Sequence, residues 1–503
     1  MKRRTFALIA GAAATGLALG GCARTPKATG GPQSTLRIGA LGNTTDSLAP
    51  LTVNGFADYI AVGHLYEMLV ELRDGVAHPT LAHDITSNAD ATEWTITLAD
   101  GATFSDGRPV TAADVAYSLA LHADPIASPN YASFYQDVDV AGLRIVDDQT
   151  LVVPLTRPRG DFVTTILAFA SFVFPDGFDD WANPIGSGPY RLVSYAAGEQ
   201  IVLEARDDHR AGIPSIQRLE IIVIGDPQTR MNALKSGEID FATRVDPVIV
   251  QAEAGNPDVV IHRGGEGDSQ VMGLEMNVHQ APFDDPRVRL AMKLAIDRQQ
   301  LVDIVFLGEG FVGNDLVGLG LAGYNTAIPQ RGQDPERARQ LFAEAGVSEV
   351  TIRTAEVTPG LTRAAELYAE QLAAVGVHAT LEPADPTSFF ADFEVLLSTP
   401  LQSMYYINRD AGAYLGSFGG STGFFNISGY APADFDTLLL EAQSTADAAA
   451  RTELFNRAQR QIWDDGGTIL WGYQAVLSAH PPGLEGVYLS QGVPIFSSAT
   501  FTR

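Results

Sequence analysis

Two periods of hydrophobicity take turns along this chain. At 35–41, TLRIGAL alternates apolar and polar positions as a half-buried strand does, and it leads into the polar loop GNTTDSLAP. EWTITLADGATFSDGRPV (93–110) predicts a strand, a turn and a second short strand. TAADVAYSLALHA (111–123) then changes to helical spacing. Thr111 stands where a helix cap belongs, Asp114 lies three residues on, and Val115, Leu119 and Leu121 fall near one face.

The same exchange continues downstream. GPYRLVSYAAGEQIVLEA (188–205) predicts a hairpin turning at Ala196–Gly198. RLEIIVIGD is a buried strand, and PQTRMNALKSGEID a helix with Pro227 in its first turn and Gly237 past its end. DDPRVRLAMKLAIDRQQLVDIVF (284–306) starts a helix at Pro286, with Val288, Met292 and Ala295 on one face and Arg287, Arg289 and Lys293 mostly away from it. DPERARQLFAEAGV repeats the recipe from the Asp334 cap to the Gly346 stop. RAAELYAEQLAAVGVHATLE is helix, Gly376, strand, and FDTLLLEAQ and ARTELFNRAQRQIWDD are late helices. The fold class is therefore α/β. No repeat of 20–50 residues occurs, which excludes solenoids and propellers.

The N-terminus changes the picture. Lys2, Arg3 and Arg4 precede an apolar run from Phe6 to Leu19, and Gly20 and Gly21 lead to Cys22, the only cysteine of 503 residues. A charged start, an apolar middle shorter than the roughly 20 residues of a membrane-spanning helix, and a small-residue exit describe a secretory leader over 1–21. LGGC resembles a bacterial lipoprotein cleavage motif, in which the cysteine takes the lipid anchor, and RRTF is similar to a twin-arginine signal. ARTPKATGGPQST suits a tether over 22–33, so the body is expected outside the cytoplasmic membrane and held to its outer face. The formal net charge of −27 repels phosphate backbones and argues against nucleic acid as a partner. A body this long exceeds one core and predicts two or three domains, and nothing in it asks for an oligomer, so a monomer is expected.

Candidate chemistry is sparse. GGSTG (419–423) has the spacing of a nucleophile elbow around Ser421, but no strand-to-helix context, and only His480 lies downstream as a base. GLGLAG (318–323) has dinucleotide spacing but runs into YNTAIPQR rather than a helix. The histidines are scattered and lack a metal-binding pattern, and the paired aspartates read as solvated faces and caps. No catalytic residue, metal site or cofactor is expected. Trp94 alternates with Ile96 and Leu98 as a core residue does, and Ser105–Gly107 is turn chemistry.

Several stretches, in order, resemble the family 5 extracellular solute-binding proteins, the capture subunits of ABC importers for peptides, nickel and other solutes. They are LYEMLVEL (65–72), EWTITLADGATFSDGRPVTAADVAYSL, PIGSGPYRLVSYAAGEQIVLEARDDH (184–209), LEMNVHQAPFDDPRVRLAMKLAIDRQQL (274–301), NISGYAPADFDTLLLEAQ and AARTELFNRAQRQI. The resemblance implies a periplasmic-binding-protein-like type II fold of two lobes with an inserted third subdomain. Carried over, lobe one is 34–80, 183–260 and 472–503, the insert is 81–182, and lobe two is 261–471. It also implies a peptide-like solute held between closing lobes and permease subunits as partners. A secreted hydrolase, or a surface receptor or adhesin of the same fold, is the alternative.

The resemblance supplies the candidate site. The loop after the first strand is a family contact region, so Asn43, Thr44 and Thr45 are candidates there. QSMYYINRDAGAYLGSF (402–418) is similar to the segment in which peptide-binding members carry Trp, an acid for the ligand's amine, a second acid and proline. Aligned on Asp410 as the second acid, those positions hold Met404, Ile407 and Ala411. Either Asp410 replaces the missing acid or the ligand has no free α-amine. Tyr405, Tyr406 and Asp410 are candidates, joined by Asn277 and by Trp471, which either stacks on ligand or fills core. Gly186 and Gly188 suit a hinge or pocket rim, or a plain turn.

Overall fold

The computed structural model describes residues 34–503 apart from 54, 74, 130, 387 and 391; the leader, Cys22 and the tether to residue 33 lie outside the described residues. Two large sheets dominate. In the first, strand Thr35–Ala40 is central, parallel to Arg218–Val223 with Thr35 opposite Arg218. The hairpin Tyr190–Ala196 and Gln200–Ala205 extends it on that side, while Phe241–Ala242, Leu477–His480 and Val260–Arg263 extend it on the other. Helix Phe56–Leu65 packs across it, buried almost all round. Gly186 and Gly188 pass the end of this helix so closely that a Cβ would come within 2.0 Å of the Leu65 carbonyl oxygen and 2.3 Å of the His64 carbonyl oxygen.

The second sheet is built around Gln270–Met276, antiparallel to both Leu401–Ile407 and Thr468–Gln474. Strands Glu349–Thr354 and His378–Pro383 add a parallel pair, and helix Leu361–Ala374 forms the crossover that parallel strands require. A third sheet of four strands lies within 82–154, and its core takes in Trp94, whose indole N–H donates to the Arg159 carbonyl oxygen at 3.1 Å. Helix Ala112–Ala123 begins as expected, with Asp114 accepting the Thr111 backbone N–H at 2.7 Å.

Two short segments carry the chain between the large sheets. The first lies between Arg263 and Gln270, the second between Gln474 and Leu477. Both fall a few residues beyond the divisions at 260 and 471 that the family pattern suggests, because Val260–Arg263 still pairs with Leu477–His480 and Thr468–Gln474 runs its full length against Gln270–Met276.

The helix pattern fails at one point. The run from Pro286 is two helices, Pro286–Ala295 and Arg298–Val305, and of its cations Arg287 is exposed while Arg289, Lys293 and Arg298 are buried. Arg289 and Lys293 are buried because helix Ala448–Asp465 covers them with carbonyl oxygens: Lys293 Nζ donates to Trp463 at 3.0 Å and Arg289 Nε to Asp465 at 2.8 Å. Burial pulls the Lys293 ammonium down to about 8. Beside it Asp315, fully enclosed, accepts from Arg298 at 2.7 Å and Arg331 at 3.0 Å. Replacing Asp315 with alanine leaves those cations uncompensated, and urea unfolding of the variant is expected to show a loss of about 3–5 kcal/mol.

Candidate functional site

The two sheets and the four-stranded unit enclose a cavity of about 1540 Å³. From the first-sheet side come Phe56 and Tyr59 of helix Phe56–Leu65, the segment 209–215 and Arg244–Pro247. From the second-sheet side come Gln270, Tyr405, Ile407, Arg409 and the pair Phe424–Phe425. The wall around Tyr405 is aromatic: Phe390 meets Tyr405 edge-on at 5.7 Å, and Phe424 and Phe425 sit at 4.7 Å from each other. Direct bonds also link the second-sheet side to the four-stranded unit and to the hairpin at Gly75. The Gly160 N–H donates to the Gln443 carbonyl oxygen at 2.7 Å, Arg157 reaches the Gln443 side chain at 3.0 Å, and the Ala322 N–H reaches the Gly75 carbonyl oxygen at 3.2 Å.

Of the eight residues proposed from sequence, Tyr405 alone lines this cavity. The period of a strand explains the choice within 401–407. Met404 and Tyr406 point to the far side, where Tyr406 donates to Glu275 Oε1 at 2.5 Å in a fully buried cluster, while Tyr405 and Ile407 face the opening. Asp410 spends its carboxylate on the N-terminus of helix Ala411–Phe418, accepting from Gly412 at 2.9 Å and Ala413 at 3.1 Å. Burial still pushes its carboxyl up to about 7.

Asn43, Thr44 and Thr45 form an exposed turn in which Asn43 Oδ1 accepts the Thr45 backbone N–H at 2.9 Å and Asp46 accepts the Asn43 N–H at 2.8 Å. Asn277 is buried and donates to the Leu397 carbonyl oxygen at 2.7 Å. Trp471 stacks on Phe306 at 4.8 Å inside the second-sheet core. The nucleophile pattern has no partner either: Ser421 is in an exposed loop with its N–H on Asp436, while His480 stacks on Phe241 in the first sheet.

Sequence reasoning missed the charged lining. Arg73 pairs with Glu71 at 2.5 Å, Arg210 with Glu67 at 2.6 Å, and Arg230 donates to carbonyl oxygens, that of Ile224 at 2.6 Å among them. Arg409 lies with its guanidinium carbon 4.6 Å from the Phe169 ring and 5.4 Å from those of Phe134 and Phe418. Its Nε is enclosed with no hydrogen-bond partner among the described residues, and desolvation pulls the group down to about 10. Arg244, at φ +46°, stands 4.2 Å over Phe56, and desolvation lowers it too. One signal was available: Arg409 continues the alternation of Tyr405 and Ile407.

The family model for bacterial extracellular solute-binding proteins, family 5 Middle, matches residues 76–426. The chain belongs to this family. Across the curated proteins, family 5 relatives include the glutathione-binding protein GsiB of Salmonella typhimurium, 26% identical over 90% of this chain and 91% of the relative. Among solved structures, the substrate-binding protein CtaP of Listeria monocytogenes superposes with a TM-score of 0.79 at 23% identity, covering 93% of this chain and all of that one. DppA of Helicobacter pylori in complex with the peptide STSA gives 0.76 at 21%, covering 93% and 98%. These likenesses show the fold: the two-lobed family 5 type II periplasmic-binding-protein architecture. The family's members are solute-binding proteins rather than enzymes.

Glu275, beneath Tyr406, has its carboxyl pushed up to about 7 by burial. A raised acid stabilises the fold below its unfolded pKa near 4 and loses that contribution as pH rises through about 7. Denaturant titrations between pH 4 and 7 are therefore expected to show a flatter stability profile for Glu275→Gln than for the native chain.

Proposed function

We propose that this chain captures a solute outside the cytoplasm and delivers it to the permease subunits of an ABC importer. The observation that carries this reading is the cavity lined from both lobes, with the chain crossing between their sheets through two short segments, 264–269 and 475–476. Such a connection lets the lobes swing, and a ligand that touches both favours the shut arrangement by its differential affinity. In this reading lobe one is 34–80, 183–263 and 475–503, the insert is 81–182, and lobe two is 270–474. The cavity is large for a single amino acid, and its aromatic wall together with its charged lining suits a small peptide-like cargo. A glutathione-binding relative and a peptide-holding structural neighbour support that class.

The N-terminal pattern completes the proposal. Residues 1–21 act as an export leader, Cys22 takes the lipid, and 22–33 tether a monomeric body to the outer face of the membrane. The cavity serves to bind; the solute leaves unaltered.

Two measurements check this. Native mass spectrometry of the protein purified from its own host is expected to reveal a bound small molecule, released intact, and a panel of ester and peptide substrates is expected to show no turnover. Recovery of hydrolysed products contradicts the reading. Cys22→Ser protein is expected in the soluble extracytoplasmic fraction while the native chain stays with membranes.

A further inference from the structure

Arginines that face the cavity fall into two kinds. Arg73 and Arg210 have carboxylates, and Arg230 has carbonyl oxygens at hydrogen-bond distance. Arg244 and Arg409 have no carboxylate within ion-pair distance among the described residues, and each rests on aromatic rings instead. They come from different lobes. Arg244 follows strand Phe241–Ala242 of the first sheet, and Arg409 follows strand Leu401–Ile407 of the second.

Their positions converge on one helix face. Phe56, under Arg244, and Tyr59 are three residues apart on helix Phe56–Leu65 and so are neighbours on its surface. The charge of Arg409 is felt at Tyr59 and Tyr131, and that of Arg244 at Tyr405. Two guanidinium groups thus flank one stretch of the cavity from opposite sides. Aromatic surfaces and Ile407, which is half exposed, line the same cavity.

We propose that the cargo carries at least two carboxylates, one gripped by Arg409 of lobe two and one by Arg244 of lobe one. This rests on the solute-capture reading and deepens it. A guanidinium presents paired N–H groups in a plane that matches a carboxylate, and the match is strongest where water is excluded. The Nε of Arg409 is the donor in need of such an acceptor. Closure also acquires a gate. Phe134 and Phe169 belong to the insert, so shutting the lobes presses the Arg409 cation against rings and strips its water. The rings return part of that cost. An anionic group returns the rest, so an acidic cargo favours closure and a neutral one of the same shape does not. Ile407, at the place where an acid receives an amine in similar chains, fits a cargo whose recognised ends are negative. Tyr405, Phe424 and Phe425 take its apolar middle.

The test is affinity-selection mass spectrometry with a library of dipeptides to tetrapeptides and N-acyl amino acids. Each compound is supplied as the free diacid, the monoamide and the fully amidated form. The native chain is expected to retain diacids and to reject the full amides. Arg409→Gln and Arg244→Gln are each expected to weaken the retained diacid by about 30-fold or more. Arg409→Lys, which keeps the charge but not the planar fork, falls between, and unchanged thermal melting separates lost binding from lost folding. Full amides retained as tightly as diacids, or both glutamine variants binding as the native chain does, overturn the dicarboxylate while leaving solute capture standing. Failure of the native chain to retain any form overturns both.

Discussion

A guanidinium shut away from water needs a counter-charge or a set of carbonyl oxygens, and nearly every enclosed arginine described in this molecule has one. Arg159 lies between Asp137 at 2.5 Å and Asp161 at 2.7 Å. Arg206 reaches Asp208 and three carbonyl oxygens, and Arg298 and Arg331 share Asp315. Arg409 departs from this rule at the place where the two lobes meet. The proposed acidic cargo would supply the missing acceptor, and that proposal ties the electrostatics of the cleft to the movement of the lobes.

The rest of the fold sets up this imbalance. The second sheet places Tyr405, Ile407 and then Arg409 along one edge of the cavity by simple alternation, with Tyr406 and Glu275 locked behind them. The Asp410 cap begins helix Ala411–Phe418 immediately after Arg409, which anchors the backbone that carries the arginine. Opposite, helix Phe56–Leu65 is gripped by the first-sheet core and offers Phe56 and Tyr59 as a fixed platform. Packed elements thus surround the cavity, and the chain passes between the two large sheets through two short crossings.

Much of this architecture is legible in the amino-acid order, and the reasons are local. Asp226 and Asp334 cap helices with Pro227 and Pro335 in the first turn, and Gly237 and Gly346 end them with positive φ, as chain chemistry alone dictates. Trp94 belongs to a core because alternation places it there. The burial of Arg289 and Lys293 is not local: it depends on helix Ala448–Asp465, more than 150 residues downstream, arriving with free carbonyl oxygens. The candidate site was harder still. Asp410 and Asn43 have the side chains of ligand contacts, but those same side chains serve caps and turns, and the backbone nearest to them has the first claim. Arg409 escaped notice because an arginine in a sequence carries no sign of whether a carboxylate will meet it.

The central claim is that the lobes shut on a cargo, and a distance across them decides it. Val146 in the insert and Leu440 in lobe two are 62% and 52% exposed, so both accept spin labels on cysteine in a Cys22→Ser background. Double electron–electron resonance is expected to show a broad, long distribution for stripped protein that collapses to a single shorter distance when the cargo recovered from the host is returned. A distribution that stays the same with and without that cargo would contradict the account.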